Sequence, residues 1–126
     1  MKSFCLGLII ALLCSLSISL AGDIKGKVKA VGAKNNANAV ISIEKIPGKK
    51  FDPPRESAKM DQKNLAFIPH VLPILAGTTV DYLNSDDVLH NVFSPDKCAE
   101  KFNLGTWPKG KVRSYTFEQP GCVSVM

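Results

Sequence analysis

Outside its first twenty-one residues, the chain has no run of apolar side chains at helical spacing long enough to hold a core, which excludes a helical bundle. Aromatic residues are scarce, with one tryptophan, two tyrosines and six phenylalanines. They are not interleaved with the sixteen lysines and arginines, and no recognised nucleic-acid module is present, so nucleic-acid binding is not expected. Serine, histidine and aspartate all occur, yet no nucleophile motif or oxyanion signature accompanies them, and the chain is not read as an enzyme. There is no internal repeat and no low-complexity tract. Histidine is limited to His70 and His90. Adjacent carboxylates at Asp86 and Asp87 would need several more oxygen ligands to hold calcium, and they read as a solvated loop.

The N-terminus is where the long apolar run lies. Lys2 supplies a positive charge, residues 4–20 are almost wholly apolar or small, and Ser19-Leu20-Ala21 offers small residues for a signal peptidase. A membrane anchor is the competing reading, but about seventeen residues is the lower limit for a span. A lipoprotein site at Cys14 would want a small residue where Leu13 stands. Residues 1–21 are therefore expected to be a cleaved signal peptide, with the remaining 105 residues, 22–126, forming one exported domain, periplasmic or secreted, with no membrane span. Cleavage removes Cys5 and Cys14 and leaves Cys98 and Cys122, which could form one disulfide or stay a thiol pair. Loss of Lys2 lowers the net charge from +5 to +4. Lys25, Lys27, Lys29 and Lys34 read either as a solvated strand face or as a basic patch for an acidic partner.

Alternation of apolar and polar residues favours strands almost everywhere. Ile24, Gly26, Val28 and Ala30 alternate with lysines, and 39–46 is rich in β-branched residues, so both predict strands. Residues 47–57, with Gly48, Pro53 and Pro54, predict a surface loop. Further strands are expected at 58–62, 66–68, 71–75, Thr78–Asn84, 88–93, Val112–Phe117 and from 122 onward. Residues 94–109 read as a long connection with a helical turn at 96–101, and Phe102 and Trp107 as packing residues. Seven or eight short strands separated by turns predict an all-β antiparallel β-sandwich, a barrel being the alternative.

Several separated blocks carry a family likeness. Met60-Asp-Gln-Lys-Asn-Leu-Ala-Phe-Ile-Pro69, Gly77-Thr-Thr-Val-Asp-Tyr-Leu-Asn84, Asp86 and His90-Asn-Val-Phe-Ser94 are followed by Gly105-Thr-Trp-Pro-Lys-Gly110 and Ser114-Tyr-Thr-Phe-Glu-Gln-Pro-Gly121. Together they resemble the cupredoxins, and more narrowly the plastocyanin-like proteins labelled methylamine utilization proteins, over about two-thirds of the 105 residues. The resemblance implies a Greek-key antiparallel β-sandwich holding one copper ion for single-electron transfer to a redox partner protein, as a monomer. It implies a ligand set of two histidines, a cysteine thiolate and an axial methionine. The first histidine corresponds to His90, with Asn91 hydrogen-bonding backbone beside the site. Sulfur and imidazole ligands suit both copper oxidation states.

In relatives the ligand cysteine follows the Pro-Gly turn by about six residues, and Gly121 plus six is one position past Met126. The cupredoxin-like fold is thus expected without its last strand and without the loop bearing the Cys, the second His and the Met. Cys122 stands five residues short, roughly 16 Å along a strand, so it reads as a buried small residue or a disulfide partner of Cys98. His90 is the expected metal ligand. His70 reads either as a hydrogen-bonded surface histidine or, with Met60, as part of an auxiliary copper site. Three functions stay open: a copper electron carrier, a copper-handling protein without redox duty, and a metal-free β-sandwich binding module.

Overall fold

A computed structural model describes residues 22–96 and 101–126. The leader expected at 1–21, Cys98 with its pairing, and most of the turn expected at 96–101 lie outside the described residues. Among the described residues six strands form: β1 (Ala58–Lys63), β2 (Ala66–Ile68), β3 (Thr78–Asn84), β4 (His90–Ser94), β5 (Phe102–Trp107) and β6 (Val112–Phe117). They make a four-stranded sheet in the order β2-β1-β3-β6 and a two-stranded sheet of β4 and β5. Four ladders are antiparallel or parallel as the connections dictate: β1 and β2 are joined by a tight turn and run antiparallel, whereas β1 and β3, with β2 and a loop between them, run parallel. The β3–β6 and β4–β5 pairs are antiparallel. The described residues are therefore all-β, as expected, but the larger sheet is mixed where an antiparallel one was expected. Among the described residues no helix is long and apolar enough to cross a membrane.

The core lies between the two sheets. Along β3 the buried positions are Thr78, Val80, Tyr82 and Asn84, every second residue, because successive side chains of a strand point to opposite faces. Met60, Val80, Tyr82 and Phe117 of the larger sheet meet Val92, Phe102 and Trp107 of the smaller one. Phe102 stacks on Tyr115 with centroids 4.1 Å apart and meets Phe117 edge-on at 5.8 Å. This aromatic group ties β5 to β6 and so closes one side of the sandwich. Phe102 and Trp107 are core residues, as the sequence suggests.

Three expectations are corrected. Segments 24–30 and 39–46 are not strands. In the first of them two ladder groups are taken up locally: the Asn36 side chain accepts from Ala30 N at 2.8 Å and donates to Val28 O at 2.7 Å, a side-chain bond competing with strand pairing. Residues 71–75 do not form a strand either. Conversely, Phe102–Trp107 is a strand where a connection was expected. Its turn-forming residues disguise it: Gly105 sits at φ +68° with its N–H bonded to Asn103 Oδ1 at 2.9 Å, beside an irregularity in the β4–β5 register.

Residues after Gly121 form no regular strand, yet Met126 and Phe93 exchange both backbone hydrogen bonds, at 2.9 and 3.0 Å, as an antiparallel pair does. Ser124 N also donates to Asp96 Oδ2 at 2.6 Å. This terminal segment is thereby laid against β4, the strand that begins with His90. Where β3 begins, Gly77, at φ +87°, donates to Phe117 O at 2.7 Å. A Cβ there would come within 2.9 Å of Pro53 Cγ, so glycine is required both for the backbone and for the loop packed against it.

Candidate metal centre

The site is built from two loops at one end of the sandwich. The β1–β2 turn places both central residues, Asn64 and Leu65, in the left-handed region at φ 55° and 59°. That geometry matches the twist of the flanking strands, though a leucine adopts it at some cost. The β3–β4 loop starts from Asn84, which is buried and donates to Val88 O at 2.8 Å and to Trp107 O at 3.0 Å. Its side-chain oxygen accepts from Asp86 N at 2.9 Å.

Asp86 joins the two loops. Its Oδ1 accepts from Asn64 N at 2.7 Å, and its Oδ2 accepts from Leu65 N at 2.9 Å and lies 2.8 Å from His90 Nε2. The Asp86 and His90 side chains are each only 15% exposed. These donors, first the Leu65 N–H, then the His90 ring and the Asn64 N–H, hold the Asp86 carboxyl at a pKa of about 2, below its ordinary 3.8. The expectation of a solvated Asp86 is therefore corrected. Asp87 is solvent-exposed as expected, with Lys109 Nζ 2.8 Å from its carboxylate.

His90 lines a small cavity of about 140 Å³ together with Gln62, Leu65, Phe67, Asn91 and Met126. With Nε2 engaged by Asp86, the ring nitrogen left without a hydrogen bond to a described residue is Nδ1. Gln62 Nε2 donates to Asn91 O at 3.4 Å, while Asn91 Oδ1 is buried without a partner among the described residues.

The other candidates lie elsewhere. His70 is exposed and Met60 is buried in the core, and both line a second, largely apolar cavity of about 620 Å³. Thus the structure brings His70 and Met60 to one cavity and His90 to another. Cys122 is exposed and carries a free thiol, which corrects the reading of it as a buried residue. It lines the larger cavity, not the one beside His90. Asp86 was not recognised in the sequence as a site residue; the Asp-x-x-x-His spacing, i to i+4, was the one available signal.

Do these residues fit copper? His90 does, since an imidazole with one free nitrogen suits the metal. Beyond it, among the described residues, no group of three or more His, Cys, Asp or Glu side chains could hold a metal ion. The fit thus extends to a single ligand and its surroundings.

The architecture is that of a cupredoxin-like β-sandwich. No protein-family model matches the chain. No curated protein matches it either. Among solved structures it is similar to a Cu-containing nitrite reductase (NirK) from Thermus scotoductus SA-01, with a TM-score of 0.53 and 24% identity. The match covers 65% of this chain and 21% of that one, so it spans about a fifth of the reductase. At that identity the likeness concerns the fold.

Proposed function

We propose that this chain is an exported, periplasmic or secreted, copper-binding protein of the cupredoxin type, serving as a monomeric one-electron carrier for a redox partner protein and not as an enzyme. The methylamine utilization type is the narrower form of this reading, resting on the sequence blocks between Met60 and Gly121. The observation that carries the proposal is His90. It stands at the start of β4 in a cupredoxin-like fold, with Nε2 held by Asp86 and Nδ1 free beside a cavity. Copper would supply the one-electron chemistry, and imidazole is compatible with both of its oxidation states. Around it, the protein's own residues fix the ring, exclude bulk water from its Nε2 edge and leave Asn91 Oδ1 as a buried acceptor for a neighbouring N–H.

Copper titration of the full chain and of His90→Ala tests the reading. The expected result is a weaker complex, by about tenfold or more, in the variant, with nitrogen hyperfine coupling lost from the Cu(II) resonance spectrum. An unchanged affinity and spectrum would remove His90 from the site. Because Cys122 lies on the other cavity, Cu(II) loading should not produce an intense thiolate-to-copper absorption. A metal-free β-sandwich binding module is the second reading, favoured by the size of the larger apolar cavity, which falls in the range of small-molecule pockets.

A further inference from the structure

We propose that Asp86 is a positioning residue for His90, a single carboxylate that couples the imidazole to the β1–β2 turn and selects Nδ1 as the nitrogen left available. The inference deepens the reading of His90 given above and rests on it.

The geometry is specific. Asp86 is held from behind, by the bond from its own N–H to Asn84 Oδ1, and Asn84 is anchored in turn to the carbonyls of Val88 and Trp107. In front, the carboxylate takes three donors from two sources: the successive N–H groups of Asn64 and Leu65, and the His90 ring. Those N–H groups belong to residues at positive φ, a conformation that leucine reaches with strain. A negative group accepting both N–H bonds offsets part of that strain. The turn therefore needs the carboxylate, and the carboxylate is thereby fixed in space before it meets the imidazole.

An ionised carboxylate is an acceptor only, so the Nε2 that faces it carries the proton, and in the neutral ring Nδ1 is left as a lone pair. The ring's rotation about its last side-chain bond is fixed by the same contact. Second-partner hydrogen bonds of this kind orient ligating histidines generally. Here the partner is itself braced by a turn more than twenty residues away in sequence, so the site's geometry is set by the meeting of two loops.

Long-range proton–nitrogen NMR of the metal-free full chain, with labelled histidine, tests this, the exposed His70 serving as internal reference. The expected spectrum shows a slowly exchanging His90 Nε2 proton and an unprotonated Nδ1. In Asp86→Ala that proton should exchange faster by about tenfold or more, and the Asn64 and Leu65 amides should exchange faster with it. Should the alanine variant fail to fold, Asp86→Asn keeps the shape but has no charge and only one acceptor oxygen. It should show the same acceleration or a shift of the ring toward the Nδ1–H form. If the His90 proton keeps its exchange lifetime and its tautomer in Asp86→Asn while the turn amides accelerate, Asp86 braces the turn alone and the proposal is overturned. Failure of the copper reading would appear separately, as unchanged metal affinity in His90→Ala, and leaves the metal-free spectra as they are.

Discussion

Two parts of this molecule carry the same sequence pattern and have different fates. In residues 22–46 Ile24, Val28 and Ile43 alternate with polar residues, as do Val80 and Tyr82 in β3. Yet Ile24, Ile41 and Ile43 are 81%, 74% and 61% exposed, whereas Val80 and Tyr82 are at 1%. β3 lies between β1 and β6, so both its backbone edges are paired and its apolar face meets Trp107 and Val92 across the sandwich. The earlier segment has no such neighbour among the described residues, and Asn36 occupies part of its backbone. Alternation makes a strand possible, and partners on both the edge and the face make it stable.

Truncating one large side chain in each part is the most severe way to break this comparison. Trp107→Ala should cost about 3–5 kcal/mol, read from denaturant unfolding, because a buried indole leaves a cavity that the two sheets cannot close. Ile43→Ala should change stability by less than about 0.5 kcal/mol. Comparable losses at the two positions would mean that residues 22–46 are packed in the stable fold.

Acid offers a smaller separation. Asp86 is held at about 2 in the folded state, below its ordinary 3.8. Its contribution is therefore fully present above the unfolded value and is lost as pH falls through the folded one, over roughly pH 4 to 2. Thermal midpoints should drop across that window, and Asp86→Asn should flatten the drop. NMR signals from residues 22–46 should show no transition tied to it, since the hydrogen bonds of Asp86 to described residues run to the β1–β2 turn, Asn84 and His90.

The mildest change sharpens the comparison within the folded part. Leu65 combines positive φ with 79% exposure, so its side chain contributes little to packing. Leu65→Gly should leave the fold unchanged and shift stability by at most about 1 kcal/mol, in the stabilising direction, by relieving the left-handed strain. A loss of stability on unfolding would show instead that the leucine side chain packs usefully over the cavity it lines.

Much of the architecture was legible before any coordinates. The bounds of β2, β3 and β6 coincide with those read from alternation and turn residues, because each segment is short and flanked by Gly, Pro or Asn. β5 was hidden by Gly105 and Asn103, residues that usually mark loops but here absorb an irregular register. His90 was legible as a candidate from its neighbours on β4. Its partner was barely so, since the i to i+4 spacing to His90 is the one local feature that distinguishes the carboxylate at position 86 from that at 87. Only folding brings the first against Asn64 and Leu65 and leaves the second in solvent.

By itself, then, the sequence determined an all-β chain and the bounds of β2, β3 and β6, because these depend on side-chain periodicity and on the backbone limits of glycine and proline, while the likeness of the surrounding blocks to the cupredoxins marked His90. Tertiary structure decided which alternating segments became strands and that β1 and β3 run parallel. It also parted His70 and Met60 from His90, and made Asp86 the anchor of the imidazole. Each of these outcomes depends on contacts between residues distant in the chain, and no local pattern encodes such a contact.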